Sequence, residues 1–486
     1  LSILSTRLSN EPGKFRLEYE DVMGSIERNL NLYAYLAVKL IDDDLYPHIQ
    51  NLGRPIPLHE VRKNWEISFK EYRAGKGVKR IGMYLHIPFC THKCRYCFCD
   101  SFVPPGRKMV PLYLTILKKE LAYFSDAFSG VELTSLYFGG GTPSILKESE
   151  LDDLFRSIYA QYALASDAQI IFEATPATLT KEKISLLVRH GVNRLTIGAQ
   201  TLDEKVMRDV ERQGSNRNFK RAFTWAKKAG IPFVNVDLMV GLEGQTLDSF
   251  INDMKVVVGL GADMVHINAF KPLSHTPFSR EGRKSSADAR RCRDIMIHMG
   301  KEYLAQHLYA DTLHDEMAKS AYARNLQEAD LRRQNSSLLG IGYGAQSHVF
   351  GHLWYQHPKS INCQPLDLTK IPPCVGIRSN GKREMVKYVV NNLRSGFSKS
   401  SFRKIFGIDV EDVFKKELKE LEALGKATLT DSEVKTSLQN YKEYITLAKH
   451  LYPKDMIREI MEEKGEKFRP HKDYRRELEI YFSETD

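Results

Sequence analysis

From residue 81 the chain alternates short runs of β-branched and aromatic residues with stretches whose apolar positions recur at helical spacing. The strand-like runs are Ile81–Ile87, Leu133–Phe138, Gln169–Phe172, Arg194–Gly198, Phe233–Leu238 and Met264–Asn268. Between them lie amphipathic patterns at Val110–Ser125, Glu148–Tyr162, Lys181–His190, Asn218–Ala229 and Thr246–Gly259. Parallel strands need long crossover connections, and helices of this length supply them, so the alternation predicts parallel βα units. Six such units fall short of the eight that close a barrel. The expected fold is α/β, a partial (β/α)6 TIM-like barrel.

The flanks read differently. Residues 1–80 predict an N-terminal helical extension, with helical patterns at Tyr19–Asp44 and Val61–Tyr72 around a turn at Gly53–Pro57. The barrel and its C-terminal extension are expected over 81–350, ending in the glycine-rich run Leu339–Ser347. Pro365, Pro372 and Pro373 mark 351–383 as a linker or extended cover. Residues 384–486 predict helices at Met385–Leu393, Ser400–Phe406 and Val410–Leu424, then a hairpin after Gly425, an order that suits a winged-helix-like domain with a charged tail.

Chemistry-bearing residues fall just past the predicted strands. Cys90, Cys94, Cys97 and Cys99 follow the first, and Gly139-Gly140-Gly141-Thr142-Pro143 the second. Glu173 ends the third, Gln200 follows the fourth, Asp237 ends the fifth and Asn268 the sixth. Active sites of parallel barrels sit at the carboxyl ends of the strands, so these groups should converge on one mouth.

The cysteines narrow the chemistry. Cys90, Cys94 and Cys97 have the spacing C-x3-C-x2-C on one loop, suited to three irons of a [4Fe–4S] cluster with the fourth iron open. Zinc would want four ligands, and Cys97 with Cys99 in C-x-C spacing makes an awkward tetrahedral chelate. The other cysteines, Cys292, Cys363 and Cys374, are scattered and form no disulfide framework. With 42% hydrophobic and 27% charged residues, the composition is that of a globular protein. No apolar run of membrane-spanning length and no charged-then-apolar leader pattern is evident, so no membrane partner and a cytoplasmic location are expected. The net charge is +10, concentrated at Lys70–Arg80 and in the last hundred residues. It reads as a solvated face or as attraction for an acidic substrate or peptide; no aromatic-interleaved basic motif points to nucleic acid.

The cysteine loop resembles that of the radical S-adenosylmethionine (radical SAM) superfamily. Residues 81–350 are similar to its coproporphyrinogen dehydrogenase-like branch, and 384–435 to that branch's C-terminal domain. The matching residues are Tyr84-x-His86-Ile87-Pro88-Phe89-Cys90, Cys94-x-x-Cys97-x-Cys99, the triple-glycine Thr-Pro run, Gln200, Arg212, and Asp237-Leu238 with Gly241-Leu242. The resemblance implies a [4Fe–4S] cluster on Cys90, Cys94 and Cys97 and two SAM molecules in one pocket. It further implies that Gly139–Gly141 and Thr142 approach the SAM amino group, that Glu173 contacts SAM, and that Asp237 contacts the ribose. Gln200 and Arg212 would hold the second ligand and the SAM carboxylate, Asn268 would complete the cofactor site, and Tyr84 would pack beside the cluster. Cys99 is open between a redundant cluster ligand, a hydrogen-atom or proton donor and a small buried thiol.

Two reactions follow from the resemblance. In the class C methylase and cyclopropanase type, a second SAM donates a methyl or methylene carbon to a substrate carbon. In the dehydrogenase type, propionate side chains of coproporphyrinogen III are oxidatively decarboxylated; a haem-handling relative is a third reading. Residues 1–80 lack the dehydrogenase's Arg-Tyr-x-x-Tyr-Pro segment, which favours carbon transfer, whereas the C-x-C at Cys97 and Cys99 is the dehydrogenase's form. The substrate is a small molecule or a peptide, and the electron donor is of flavodoxin or ferredoxin type.

Replacing Cys90, Cys94 or Cys97 by Ala should therefore abolish both the cluster and SAM cleavage, while Cys292, Cys363 and Cys374 should be dispensable. Iron and sulfide content with 5′-deoxyadenosine yield checks this. Full iron and activity in any of the first three variants would contradict the ligand assignment.

Overall fold

The computed structural model describes residues 53–75, 80–272, 276–282, 287–312, 316–333, 335–360, 365–393 and 396–436. The chain divides into two compact units, one of residues 55–380 and one of 381–486 with 1–54. The helical pattern expected at Tyr19–Asp44, Cys363 and the C-terminal tail lie outside the described residues.

The larger unit is built on one sheet, with β1 (Arg54–Ile56) at one edge and the antiparallel pair β9 (Glu316–Ala318) and β8 (Ala310–Asp311) at the other. Its centre is a run of parallel strands. These are β10 (Ser336–Ile341), β2 (Arg80–Ile87), β3 (Glu132–Gly140), β4 (Ala163–Ala174), β5 (Arg194–Gln200), β6 (Phe233–Val240) and β7 (Met264–Ala269). Each strand from β2 to β7 coincides with one the sequence pattern predicts, within a few residues. The crossover helices α2 (Met109–Ser125), α3 (Glu148–Tyr159), α4 (Lys181–Arg189), α6 (Asn216–Lys228) and α7 (Leu247–Leu260) do the same. A short α5 (Glu204–Asp209) precedes α6.

β10 is a seventh parallel strand that the pattern did not reveal. It comes from the glycine-rich region and pairs with β2 along its whole length, Ser336 opposite Arg80 to Ile341 opposite Leu85. Gly340 is required there: a Cβ would lie 2.2 Å from the carbonyl oxygen of Gln346. From β10 the sheet continues antiparallel through β11 (Gln346–Val349), β12 (Leu353–Gln356) and β13 (Cys374–Arg378). The stretch expected as a linker, 351–383, thus carries two strands of the main sheet.

Helix α1 (Leu58–Arg73) closes against this antiparallel side. Val61, Trp65, Ser68 and Phe69 recur at helical spacing and are all buried. Trp65 stacks on Phe69 at 5.4 Å, meets Phe128 at 5.1 Å, and donates its indole N–H to the Tyr355 hydroxyl at 3.0 Å. The smaller unit holds α8 (Gly381–Asn392), α9 (Lys399–Phe406) and α10 (Val410–Ala423). With them is an antiparallel sheet ordered β14 (Phe397–Ser398), β16 (Glu433–Thr436), β15 (Ala427–Leu429). Phe402, Leu418, Leu421 and Val434 form its buried core.

Trp65→Ala should lower unfolding free energy by about 3–5 kcal/mol, the cost of a large aromatic cavity, with the Tyr355 hydroxyl also losing its donor. Denaturant titration checks this; an unchanged midpoint would contradict the packing described.

Candidate functional site

The parallel register sets the site. His86 is paired with Gly139, Glu173 with Thr196, Gly198 with Asp237, and Met239 with Asn268. The residues singled out in the sequence therefore stand near the same carboxyl edge of neighbouring strands.

Backbone hydrogen bonds hold the cysteine loop against that edge. Gly141 N–H donates to Ile87 O at 2.8 Å and Thr142 N–H to Phe89 O at 2.9 Å. Phe102 N–H donates to Pro88 O at 2.8 Å, and Cys90 N–H to Phe102 O at 3.0 Å, closing the loop at its base. The glycine run permits this approach. A Cβ on Gly141 would lie 2.8 Å from Phe89 O, and Gly140 has φ +110°, where a side chain would also strike the His86 ring.

Cys90 is buried, and its Sγ lies 3.5 Å from Thr142 Oγ1. Burial pushes its thiol up. Cys97 behaves oppositely. A hydrogen bond from Cys99, reinforced by the nearby Lys93 ammonium and Ser101, draws its thiol down to about 5, favouring the thiolate that binds metal. Cys99, the donor in that pair, is held well above the usual thiol range and keeps an exposed surface. Cys94 and Cys97 pack on an apolar wall of Tyr96, Val206, Val210, Met239, Leu242, Phe270 and Phe278.

Arg212 joins the ends of β4 and β5 to this loop. β5 breaks register between Gly198 and Gln200, and Gln200 takes φ +66°, a left-handed conformation uncommon for a residue with a side chain. The irregularity turns two carbonyls toward Arg212, which donates through Nε to Ala199 O at 3.0 Å and through Nη2 to Gly198 O. Its Nη1 donates to the Tyr96 hydroxyl at 2.6 Å and lies 4.0 Å from Cys94 Sγ; Nη2 also reaches Thr175 Oγ1 at 3.5 Å. These contacts make Arg212 a brace behind Cys94 and leave little of the guanidinium for a ligand.

Glu173 faces the mouth half-buried and accepts a hydrogen bond from the Tyr137 hydroxyl at 2.5 Å. Burial, then the charge of Asp237, pushes its carboxyl up to about 7. Tyr84 and Tyr137 are pushed well up, by burial first and then by Glu173, so both phenols stay protonated donors. Tyr84 OH meets His86 Nδ1 at 3.1 Å while His86 Nε2 meets Asp100 O at 2.8 Å; the carbonyl can only accept, so Nε2 carries the proton. Asp237 accepts from Asn235 Nδ2 at 3.0 Å and stands 3.8 Å from His266 Nδ1. Asn268, half-buried, occupies the end of β7.

Several participants escaped the sequence reading. Tyr137 lies two residues before Gly139 and so on the same face of β3, a signal that strand period alone could have given. Tyr96 and Lys93 sit inside the cysteine loop and read as spacers. Their partners, Arg212 and Ser101, are set only by the folded loop.

The residues present fit a cluster. None of the described cysteines is in a disulfide, and three thiols lie on one pinned loop beside an apolar wall. Among the described residues no three His, Cys, Asp or Glu side chains are grouped tightly enough to hold one metal ion. Cluster thiolates need no such grouping, since each would serve a different iron.

Comparisons with known proteins agree in part with the sequence reading. Residues 84–257 match the Radical SAM superfamily. The chain is 26% identical to the oxygen-independent coproporphyrinogen III oxidase of Escherichia coli over 426 residues, 82% of this chain and 92% of that one. The Helicobacter pylori oxidase of the same name is 27% identical over 374 residues, 72% of this chain and 80% of its own length. The heme chaperone HemW of E. coli is 33% identical over 180 residues, 37% of this chain and 48% of HemW. The solved structure of coproporphyrinogen III oxidase (HemN) from E. coli superposes with a TM-score of 0.69 at 22% identity, covering 80% of this chain and 92% of that one, a likeness of fold. None of these relatives singles out the carbon-transferring branch that the sequence reading favoured. Among the described residues no helix is long and apolar enough to cross a membrane.

The raised Glu173 carboxyl gives a signed prediction. The folded chain keeps a proton that the unfolded chain releases, so this contribution to stability is full below about pH 4.5 and lost as pH rises through 7. Without SAM, Glu173→Gln should gain on the wild type by roughly 3 kcal/mol between those limits. Denaturation across pH 4 to 8 checks this; a difference that does not vary with pH would contradict the burial of this carboxylate.

Proposed function

We propose that this chain, an enzyme whose residues 84–257 match the Radical SAM superfamily, oxidatively decarboxylates propionate side chains of a tetrapyrrole. The observation that carries the reading is its similarity to an oxygen-independent coproporphyrinogen III oxidase along 92% of that enzyme's length. The Cys97-Phe98-Cys99 arrangement and the net charge of +10, suited to a polycarboxylate substrate, support it. This reverses the preference drawn from the sequence, in which carbon transfer came first.

In this reading Cys90, Cys94 and Cys97 hold three irons of a [4Fe–4S] cluster. Gly139–Gly141 and Thr142 present backbone to one SAM, Glu173 and Asp237 meet its polar groups, and Gln200 and Asn268 border the place of a second. Arg212 keeps Cys94 in position and supplies positive charge, rather than clasping a carboxylate. When bound, the reduced cluster and SAM supply a 5′-deoxyadenosyl radical able to take hydrogen from unactivated carbon. The chain's own residues orient the substrate and limit water. The apolar wall at Cys94 and Cys97 dries one side, and the neutral phenols of Tyr84 and Tyr137 donate to His86 Nδ1 and to the Glu173 carboxylate, holding those two groups in place. Conversion of one propionate to a vinyl group removes one hydrogen atom, taken by the 5′-deoxyadenosyl radical, one electron, passed to an external one-electron acceptor, and carbon dioxide. Cys99, exposed and held as a thiol, stands at that mouth as the hydrogen-bond partner of Cys97. An external one-electron donor of flavodoxin or ferredoxin type is the expected partner. Residues 384–486 are read as a winged-helix-like domain with its tail, 81–350 as the barrel and its extension, and 1–80 as an N-terminal extension whose helix α1 packs within the unit of residues 55–380.

Anaerobic product analysis with coproporphyrinogen III tests this. Carbon dioxide should match 5′-deoxyadenosine, with no label from methyl-deuterated SAM in the porphyrinogen. S-adenosylhomocysteine in amounts equal to 5′-deoxyadenosine, with deuterium in the product, would overturn decarboxylation in favour of carbon transfer.

A further inference from the structure

Lys93 lies between the first two cluster cysteines, in Cys90-Thr91-His92-Lys93-Cys94. A lysine in a short loop is ordinarily a solvated tether. This one is half-buried, and its ammonium donates to Cys99 O at 2.8 Å, Ser101 O at 2.9 Å and Ser101 Oγ at 2.8 Å. Three contacts use all three N–H groups of an ammonium. Every acceptor lies on the far arm of the loop, beyond Cys97, and the buried Ser101 Oγ stands 3.9 Å from Cys97 Sγ. Lys93 therefore ties the arc carrying Cys90 and Cys94 to the arc carrying Cys97 and Cys99.

Its partners are neutral oxygens, so the charge is not cancelled where it sits. The neighbouring cation Arg95, by contrast, is paired with Glu211 at 2.8 Å and Glu281 at 3.6 Å. The Lys93 ammonium is held by Cys99 O and by both oxygens of Ser101, whose hydroxyl stands 3.9 Å from Cys97 Sγ, so the charge is fixed beside the thiols.

We propose that Lys93 is a positioning residue of the cluster loop whose fixed positive charge raises the cluster's reduction potential. The inference rests on the cluster reading above and extends it to how the cluster is tuned. Reduction adds one negative charge, which a neighbouring cation stabilises most where apolar side chains exclude water, and Cys94 and Cys97 pack on such a wall. The sign is fixed: the cation makes the cluster easier to reduce by a protein donor.

The test is an EPR-monitored redox titration of the reconstituted full chain as wild type, Lys93→Arg, Lys93→Gln and Lys93→Met. Arg keeps the charge, Gln keeps a donor without charge, and Met keeps only the apolar stem. Lys93→Gln and Lys93→Met should be at least about tenfold harder to reduce, a shift of about 59 mV to more negative potential for a one-electron couple. Lys93→Arg should stay near the wild type. A wild-type potential in either uncharged variant overturns the inference while leaving the cluster reading intact. Loss of the cluster in both uncharged variants but not in Lys93→Arg supports it; loss in Lys93→Arg as well overturns the charge assignment. A wild-type chain that holds no cluster removes the reading and the inference together.

Discussion

Four backbone hydrogen bonds, Gly141 to Ile87, Thr142 to Phe89, Phe102 to Pro88 and Cys90 to Phe102, fasten the cysteine loop between the ends of β2 and β3. Side chains could be exchanged around such a frame, but the frame needs two backbones in contact. That is why a Cβ at Gly141 would collide with Phe89 O. The parallel pairing of β2 through β7 then brings Glu173, Gly198, Asp237 and Asn268 to the same edge as that loop. Position of the thiols thus follows from sheet register, and the site inherits the sheet's rigidity.

Electrostatics at the mouth divide into two halves. On one side, Arg212 and Lys93 put positive charge beside the thiols, against apolar neighbours that strengthen it. On the other, Glu173 and Asp237 lie among phenols and amides; burial keeps Glu173 near neutrality until a cation such as the SAM sulfonium and ammonium arrives. On the proposed reading, this division suits an electron-rich cluster next to a cationic cosubstrate, the pairing that reductive cleavage of SAM requires. The fully buried His357–Glu120 pair, 2.7 Å apart, touches Gly342 N–H through Glu120 and supports the β10 side of the same scaffold.

The central strands and crossover helices were legible because each has a buried face, a helical or β-branched pattern and a bounding turn. The thiol spacing was legible because ligands on one loop need no tertiary information. β10, β11, β12 and β13 were not. Ser336–Ile341 is short and buried throughout, so it shows no alternation, and Gly340, Gly342 and Gly344 in and just after it read as loop. The brace role of Arg212 was also hidden, because its acceptors Gly198 O and Ala199 O exist only once β5 breaks register. The choice between the two reactions was not legible for a related reason. Motifs at strand ends report cofactor chemistry, whereas the substrate is decided by surfaces that no short motif encodes.

On the proposed reading, one loop gives three thiolates to four irons. Mössbauer spectroscopy of the 57Fe-reconstituted chain, with and without SAM, addresses that directly. One iron in four should change its isomer shift when SAM is added, the other three staying as they were. Four equivalent irons that ignore SAM, with the spectrum altered by Cys99→Ala, would mean a fully thiolate-ligated electron-transfer cluster and would contradict the account.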